Sequence, residues 1–466
     1  MTFKLTVLRV HVMKLSSTPG FSVRLGLTRR RFLRNTLATG AACSLPAPFS
    51  ILASSAKRRR NVLFIAVDDL MPRFGCYGRK DMVTPHMDAL AGAGCLFERA
   101  YCQQAVSSPS RTSLMTGWRP DTTGIYDLQT HFRTTVPNAV TVAETFKQNG
   151  YETEALGKIF HAQLDDPQSW STPWNPSGTP PEKRITRAGG YVTDEGMRVY
   201  RQRQTEMQQS GRSGLVLGLS HEIQDVPDDQ QWDYHLATAA VSNLERHAKD
   251  GRSPFFMAVG FRKPHLPFIA PRKYWDLYPE DAIRLDDNPL APDGAPEIAL
   301  HQWGELRAYP DIPAEGPLPD DLARTLIRGY CACTSLIDAQ VGRLTEALKQ
   351  LSLWENTLVV LWGDHGFHLG DKGLWCKHSN FETAVHAPLI IRSPDLPALS
   401  SPGLAEFVDI YPTLCDLAEI RPPDSLEGDS LVDVLSGRRP AVKDAAFSQY
   451  PRQKNMGYSM RTDRYR

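Results

Sequence analysis

Three stretches of the chain are almost continuously apolar and end abruptly in charge. Asn61-Val62-Leu63-Phe64-Ile65-Ala66-Val67 stops at Asp68-Asp69. Phe255-Phe256-Met257-Ala258-Val259-Gly260-Phe261 stops at Arg262-Lys263-Pro264-His265, and Thr357-Leu358-Val359-Val360-Leu361-Trp362 stops at Gly363-Asp364-His365. Apolar runs of this length without alternation predict strands buried on both faces, as in parallel sheets. Between them the spacing turns helical. Thr141-x-x-Glu144 has the form of a capping box opening a helix that stops at Gly150. Residues 237–248 are Ala-rich and amphipathic, and Ile337, Val341, Leu344 and Leu348 recur at helical intervals ahead of the third strand. Such alternation predicts an α/β fold: a large, mostly parallel central sheet covered by helices on both faces. Ligands of open parallel sheets bind beyond the carboxyl ends of the strands, so the three polar termini are expected to face one site.

Two regions break this pattern. Residues from about 163 to 232 are rich in Pro, Gly, Gln and charge with weak periodicity, which predicts a surface insertion at the substrate entrance. The tail from 437 to 466 reads as the strand-like start of a small, incomplete C-terminal subdomain, so the main domain is expected over 57–436.

Composition narrows the class. The 466 residues are 41% hydrophobic and 23% charged, with a net charge of +1. Residues 1–56 hold eight Lys/Arg and no Asp/Glu, so the remainder has 45 basic against 52 acidic residues, a net −7. That excludes the broad basic field of a non-specific nucleic-acid binder; an anionic substrate must be met by a local cluster. Thr28-Arg29-Arg30-Arg31-Phe32-Leu33-Arg34 resembles the twin-arginine export motif. An Ala-rich stretch follows, and Ser54-Ser55-Ala56 suits cleavage, which implies the export machinery as a partner and a periplasmic or extracellular destination. Pro46, Pro48 and the short apolar length argue against a membrane span. The seven cysteines after residue 56 are scattered and odd in number, not a disulfide framework, and Cys331-x-Cys333 sits in a helical pattern as core.

The candidate chemistry centres on Ser107-Ser108-Pro109-Ser110-Arg111-Thr112-Ser113-Leu114-Met115-Thr116-Gly117. Pro109 suits a first helical turn, which would set Ser107 just ahead of a helix N-terminus that favours anions. Arg111 can fold back over the same spot. Asp68, Asp69 and Asp364 at two strand ends, with His365 beside them, suit a hard divalent ion such as Ca²⁺. Lys158 and His161, three apart, share one side if Leu156–His161 is helical. A Lys can clamp anionic oxygens while a His protonates a leaving alcohol.

The Ser107-x-Pro109-x-Arg111 spacing with Thr116-Gly117 resembles the signature of the sulfatases, and the likeness extends over residues 61–466. The resemblance implies an alkaline-phosphatase/sulfatase-like fold and oxidation of Ser107 to formylglycine by a maturase that accepts Ser, acting before export. It also implies Asp68, Asp69, Asp364 and His365 as Ca²⁺ ligands, with Lys158 and Lys377 on the sulfate. His161 would assist the formylglycine, His265 would act as general acid, and Arg111 would stabilise the nucleophile. Arg119-Pro120-Asp121-Thr122-Thr123, Lys263-Pro264-His265-Leu266-Pro267-Phe268 and Ser448-Gln449-Tyr450-Pro451-Arg452 resemble the iduronate-2-sulfatase branch. The implied substrate is a sulfated saccharide bearing a uronate 2-O-sulfate. Two other readings stay open: a phosphatase or phosphonate monoester hydrolase using Ser107 directly, and a non-enzymatic sulfated-glycan-binding protein. His368, His378 and His386 are expected to be structural.

Overall fold

The computed structural model describes residues 59–177, 190–211 and 214–466. The segment expected to direct export, with its expected cleavage site, and residues 178–189, 212 and 213 of the insertion lie outside them. The chain divides at residue 56, and everything described belongs to the unit Lys57–Arg466.

In chain order the strands are β1 (Asn61–Val67), β2 (Cys95–Tyr101), β3 (Glu152–Gly157), β4 (His221–Gln224), β5 (Phe255–Phe261), β6 (Phe268–Pro271) and β7 (Thr357–Gly363). They continue with β8 (His368–Leu369), β9 (Trp375–Cys376), β10 (Leu389–Arg392), β11 (Leu399–Glu406), β12 (Ala445–Arg452) and β13 (Asn455–Thr462). Seven form the central sheet in the order β11-β2-β10-β7-β1-β5-β3. β7, β1, β5 and β3 are mutually parallel, and β10 alone runs against both its neighbours. The three apolar runs are thus adjacent strands at the middle of the sheet.

Their lack of alternation has the expected cause. Val62, Phe64 and Ala66 of β1 enter one core, while Leu63, Ile65 and Val67 enter the other. β5 and β7 divide the same way. The helices Ser107–Thr116, Val142–Gln148 and Ile410–Leu417 cover the first face; Pro85–Ala91, Trp232–Asp250 and the second half of Asp320–Gln350 cover the other. Ile337, Val341, Leu344 and Leu348 are fully buried there, as their spacing predicts. The first half of that long helix packs a third core with β6 and the segment from Phe367 to Cys376.

Local details depart from expectation. Thr141 Oγ1 accepts from the Glu144 amide at 3.1 Å, but the Glu144 carboxylate pairs with Arg133 at 3.0 Å. The helix Asp194–Gln209 buries only Gly196, as a surface insertion should. The segment before it is not a loose excursion. Ser171 donates to Thr153 and Asn175 exchanges bonds with Ala155 and Gly157, so it extends the sheet past β3. β4 pairs with β6. The tail forms the hairpin β12–β13, docked through Ser448 Oγ on the Cys102 carbonyl (2.6 Å) and the Gln449 amide on that of Gln103 (2.8 Å). All seven described cysteines are free thiols. No helix among the described residues is long and apolar enough to cross a membrane.

Candidate active site

The strand ends that carry the site are level. Val67 of β1 pairs with Phe261 of β5 and with Gly363 of β7, so Asp68 and Asp364 leave the sheet side by side. The Asp68 amide donates to Phe261 O (3.1 Å) and the Asp364 amide to Val67 O (3.2 Å). β3, on the other side of β5, delivers Lys158. There the chains approach closely at Gly157 and Gly260, letting the Lys158 amide reach Gly260 O at 2.8 Å. The helix Ser107–Thr116 follows β2 and begins at Ser107 itself, with Val106 as its N-cap; Ser107 is the first helical residue rather than the one ahead. Leu156–His161 is not helical: β3 ends at Gly157 and the chain turns beyond it, because the sheet pairing of Glu152–Gly157 outweighs the local spacing.

Arg111 is the buried hub. Its side chain is 0% exposed, with Nε 2.9 Å from Asp364 Oδ2 and Nη2 3.1 Å from Asp68 Oδ1. Nη1 donates to the carbonyls of Lys158 and Ile159. One guanidinium therefore joins the ends of β1, β7 and β3. Ser107 Oγ donates to Asp68 Oδ1 (3.2 Å) and lies 3.4 Å from His365 Nε2. Lys158 Nζ sits 2.5 Å from Asp68 Oδ2. Asp69 has a left-handed backbone (φ 59°), which turns its side chain away from that of Asp68. Both its oxygens meet Lys377 Nζ, at 3.0 and 2.9 Å. Its carbonyl accepts from Tyr330 Oη at 2.8 Å.

Asp69, Asp364 and His365 present ligand atoms within 4.8 Å of one another. His365 Nδ1 donates to Gly366 O at 2.9 Å, so in the neutral ring Nε2 carries a lone pair, aimed between Asp69 Oδ1 (3.4 Å) and Ser107. Asp68 meets this trio through Ser107. Four carboxylates (Asp68, Asp69, Asp364 and Glu305) face three permanent cations, Arg111, Lys158 and Lys377. Oxygen-rich donors, an outward imidazole lone pair and an excess of negative charge fit a hard divalent cation.

Burial alone would raise both aspartates. For Asp68 the charges of Lys158, His265, Arg111 and Lys377 outweigh it and hold the carboxyl well below its usual range. For Asp69, His265 and Lys377 bring it to about 2. Burial would lower Lys377, but Asp69 and Glu305 hold it well above its ordinary value. Burial, then Lys158, pushes His161 down to about 3, and its Nδ1 is buried without a hydrogen-bond partner. His161 is therefore a neutral ring at physiological pH. His265 Nδ1 donates to Leu266 O (2.7 Å), turning Nε2 toward Glu305 (3.2 Å) and Asp69 (3.8 Å).

Every candidate named from sequence thus lies in or beside one cluster. Glu305 was missed: its Oε1 holds Lys377 (2.7 Å) and His265, yet it sits on a single helical turn, Gly304–Arg307, in a stretch without periodicity. His368 is buried between Asp371 (2.9 Å) and Ser379 (2.9 Å), and His386 bonds the Glu98 carbonyl (2.8 Å).

Carboxylates, lysines and a helix-borne hydroxyl gather where open parallel sheets bind their ligands, in a fold of the alkaline-phosphatase-like class. Within that class the chain belongs to the sulfatase family, whose sequence profile matches residues 60–420. It is 35% identical to human iduronate 2-sulfatase, over 89% of this chain and 85% of that one. It is 32% identical to a sulfatase of Formosa agariphila, over 87% and 78%. Among solved structures, a protein bound to its substrate D-glucosamine-2-N,6-O-disulfate superposes with a TM-score of 0.66 at 21% identity, covering 87% of each chain.

Proposed function

We propose that this sulfatase removes the 2-O-sulfate of a uronate in a sulfated saccharide, by cleavage of the S–O bond, with Ser107 oxidised to formylglycine and Ca²⁺ bound beside it. The observation that carries the reading is Ser107 Oγ standing between Asp68 (3.2 Å) and His365 (3.4 Å), with Arg111 bridging Asp68 and Asp364. The family membership and the 35% identity to an iduronate 2-sulfatase support the substrate class.

Asp68, Asp69, Asp364 and His365 would hold the cation, which supplies charge stabilisation for a nucleophile at position 107. An aldehyde hydrate there supplies two hydroxyls, one to attack sulfur and one to expel sulfate. A plain serine has only the first, so its sulfate ester would have no easy exit. Arg111 fixes Asp68 and Asp364 against the start of the helix. Lys158 and Lys377, which pair here with Asp68 and Asp69, would bind the sulfate oxygens. His265 protonates the leaving sugar oxygen through Nε2. His161, kept neutral, assists the release step. Oxidation of Ser107 requires a maturase that accepts serine. Residues 1–56 act as a twin-arginine signal, which exports the protein after it has folded and matured.

The test is sulfate release from defined saccharides by protein matured in its own host. Release from uronate 2-sulfates, with a loss of about 2 Da at Ser107, is the expected outcome. Turnover of other sulfate esters only would remove the uronate assignment. Full activity with an intact serine would remove the formylglycine.

A further inference from the structure

A hollow of about 520 Å³ lies between the segment that follows His378 and the β12–β13 hairpin. Ser379, Asn380 and Phe381 wall one side, immediately after Lys377; Tyr450 and Arg452 of β12 wall the other. The two sides are tied together at His378. Arg452 Nη2 donates to its carbonyl, and its ring centroid lies 5.9 Å from that of Tyr450. His378 Nε2 in turn lies 3.9 Å from Glu305, which holds Lys377. His378 therefore links the wall of the hollow to Glu305 and Lys377.

Three features give it a chemical preference. First, Arg452 donates to the carbonyls of His378 and Ile298 (3.2 Å) and lies over the Tyr450 ring, and among the described residues it has no carboxylate partner. Its neighbours differ: Arg461 and Arg466 share Glu382, and Arg119 and Lys443 share Glu406. Burial lowers the Arg452 pKa, and only the Tyr450 hydroxyl works against it. Second, Asn380 Nδ2 donates to Gly457 O (2.8 Å), which leaves its Oδ1 buried and without a partner. Third, Tyr450 and Phe381 offer aromatic surface. A cation lacking an acid, an acceptor lacking a donor and an aromatic wall suit a hydroxylated, anionic ring, and the volume is that of a small-ligand site.

We propose that this hollow is a subsite for the acidic sugar adjoining the one that carries the scissile sulfate. Arg452 takes the carboxylate or sulfate of that sugar, Asn380 Oδ1 accepts from a hydroxyl, and Tyr450 packs against the ring. The inference rests on the saccharide reading above and makes the enzyme selective for acidic oligosaccharides over neutral ones.

The experiment has a binding arm and a turnover arm. Calorimetry compares tetragalacturonate, in which every sugar is acidic, with neutral chitotetraose. The wild type should bind the acidic one preferentially, and Arg452→Gln should weaken that binding ~10- to 100-fold, the range of one charge-assisted hydrogen bond. Arg452→Lys should retain most of the affinity. Asn380→Asp, which sets an anion on the wall, should also lose ~10-fold or more and serves if Arg452→Gln does not fold. In turnover, Arg452→Gln should leave kcat/KM on a small aryl sulfate within about twofold of the wild type, while KM rises on a sulfated acidic oligosaccharide. Equal binding of both tetrasaccharides, no effect of Arg452→Gln, or equal losses on both sulfate esters would overturn the subsite. Acidic binding without release of sulfate from any ester would sink the sulfatase reaction and leave the subsite standing.

Discussion

Replacing Arg111 by Met tests the hub from which the site is built. Met keeps the apolar stem and removes every donor. Asp364 then loses its 2.9 Å partner and Asp68 its 3.1 Å partner, both in a region with no solvent access. Lys158 still holds Asp68 at 2.5 Å, and the Asp69 amide still donates to Asp364 at 3.0 Å, so the aspartates are weakened rather than stripped. Removing one partner of a buried ion pair costs ~3–5 kcal/mol, and that is the loss expected in urea denaturation with chelator present. Arg111→Lys keeps the charge but not the fork that spans two carboxylates and two carbonyls, so it should cost ~1–3 kcal/mol. Sulfate release should fall ~10²–10³-fold in the Met variant, since Asp68 and residue 107 lose their fixed geometry. Ca²⁺ should reduce the stability penalty, because a cation among Asp68, Asp69 and Asp364 supplies part of the missing charge. The reasoning fails if Arg111→Met costs less than ~1 kcal/mol in chelator, or if Ca²⁺ leaves its penalty unchanged.

Asp338 governs a pH effect away from the site. Its buried carboxylate accepts from the amides of His86 and Met87, and burial raises its pKa from 3.8 to about 7. The folded state thus holds a proton that the unfolded state releases above pH ~4. This contribution is full below that pH, declines as pH rises, and is gone above about 7. Asp338→Asn should flatten the slope between pH 5 and 7 by up to ~1.4 kcal/mol per unit; parallel wild-type and variant slopes would refute it. In Gly260→Ala, the new Cβ would stand 2.0 Å from the Lys158 carbonyl. Stability should fall ~1–3 kcal/mol and sulfate release with it as Lys158 shifts; an unchanged variant would contradict the close approach of β3 and β5. His265→Ala should lower kcat ~10²–10⁴-fold on a sugar sulfate but much less on an aryl sulfate, whose leaving group needs no proton. Equal losses on both would remove the general acid.

The sheet centre was legible because β1, β5 and β7 are buried on both faces, which leaves an unbroken apolar run and a sharp polar end. That three such ends meet was legible for the same reason: parallel strands in register stop level. The turn at Lys158 was not, since Leu156–His161 carries helix-compatible spacing and only pairing with β5 decides otherwise. The reversal of β10 leaves no mark in Leu389-Ile390-Ile391, which is as apolar as the runs of the parallel strands. Glu305 was invisible because its partners Lys377 and His265 are distant in sequence and its own segment has no period. The division of labour between Asp68 and Asp69 depended on one left-handed residue that nothing in Asp-Asp announces.

The central claim is that Asp68, Asp69, Asp364 and His365 hold a divalent cation against an oxidised side chain at position 107. A crystal structure of protein matured in its own host and equilibrated with Ca²⁺ tests it most directly. The expected result is a single ion bonded at ~2.3–2.6 Å to oxygens of those aspartates and of residue 107, with Lys158 and Lys377 released toward a sulfate. An active, Ca²⁺-equilibrated protein with no ion there, and with both lysines still on Asp68 and Asp69, would contradict it.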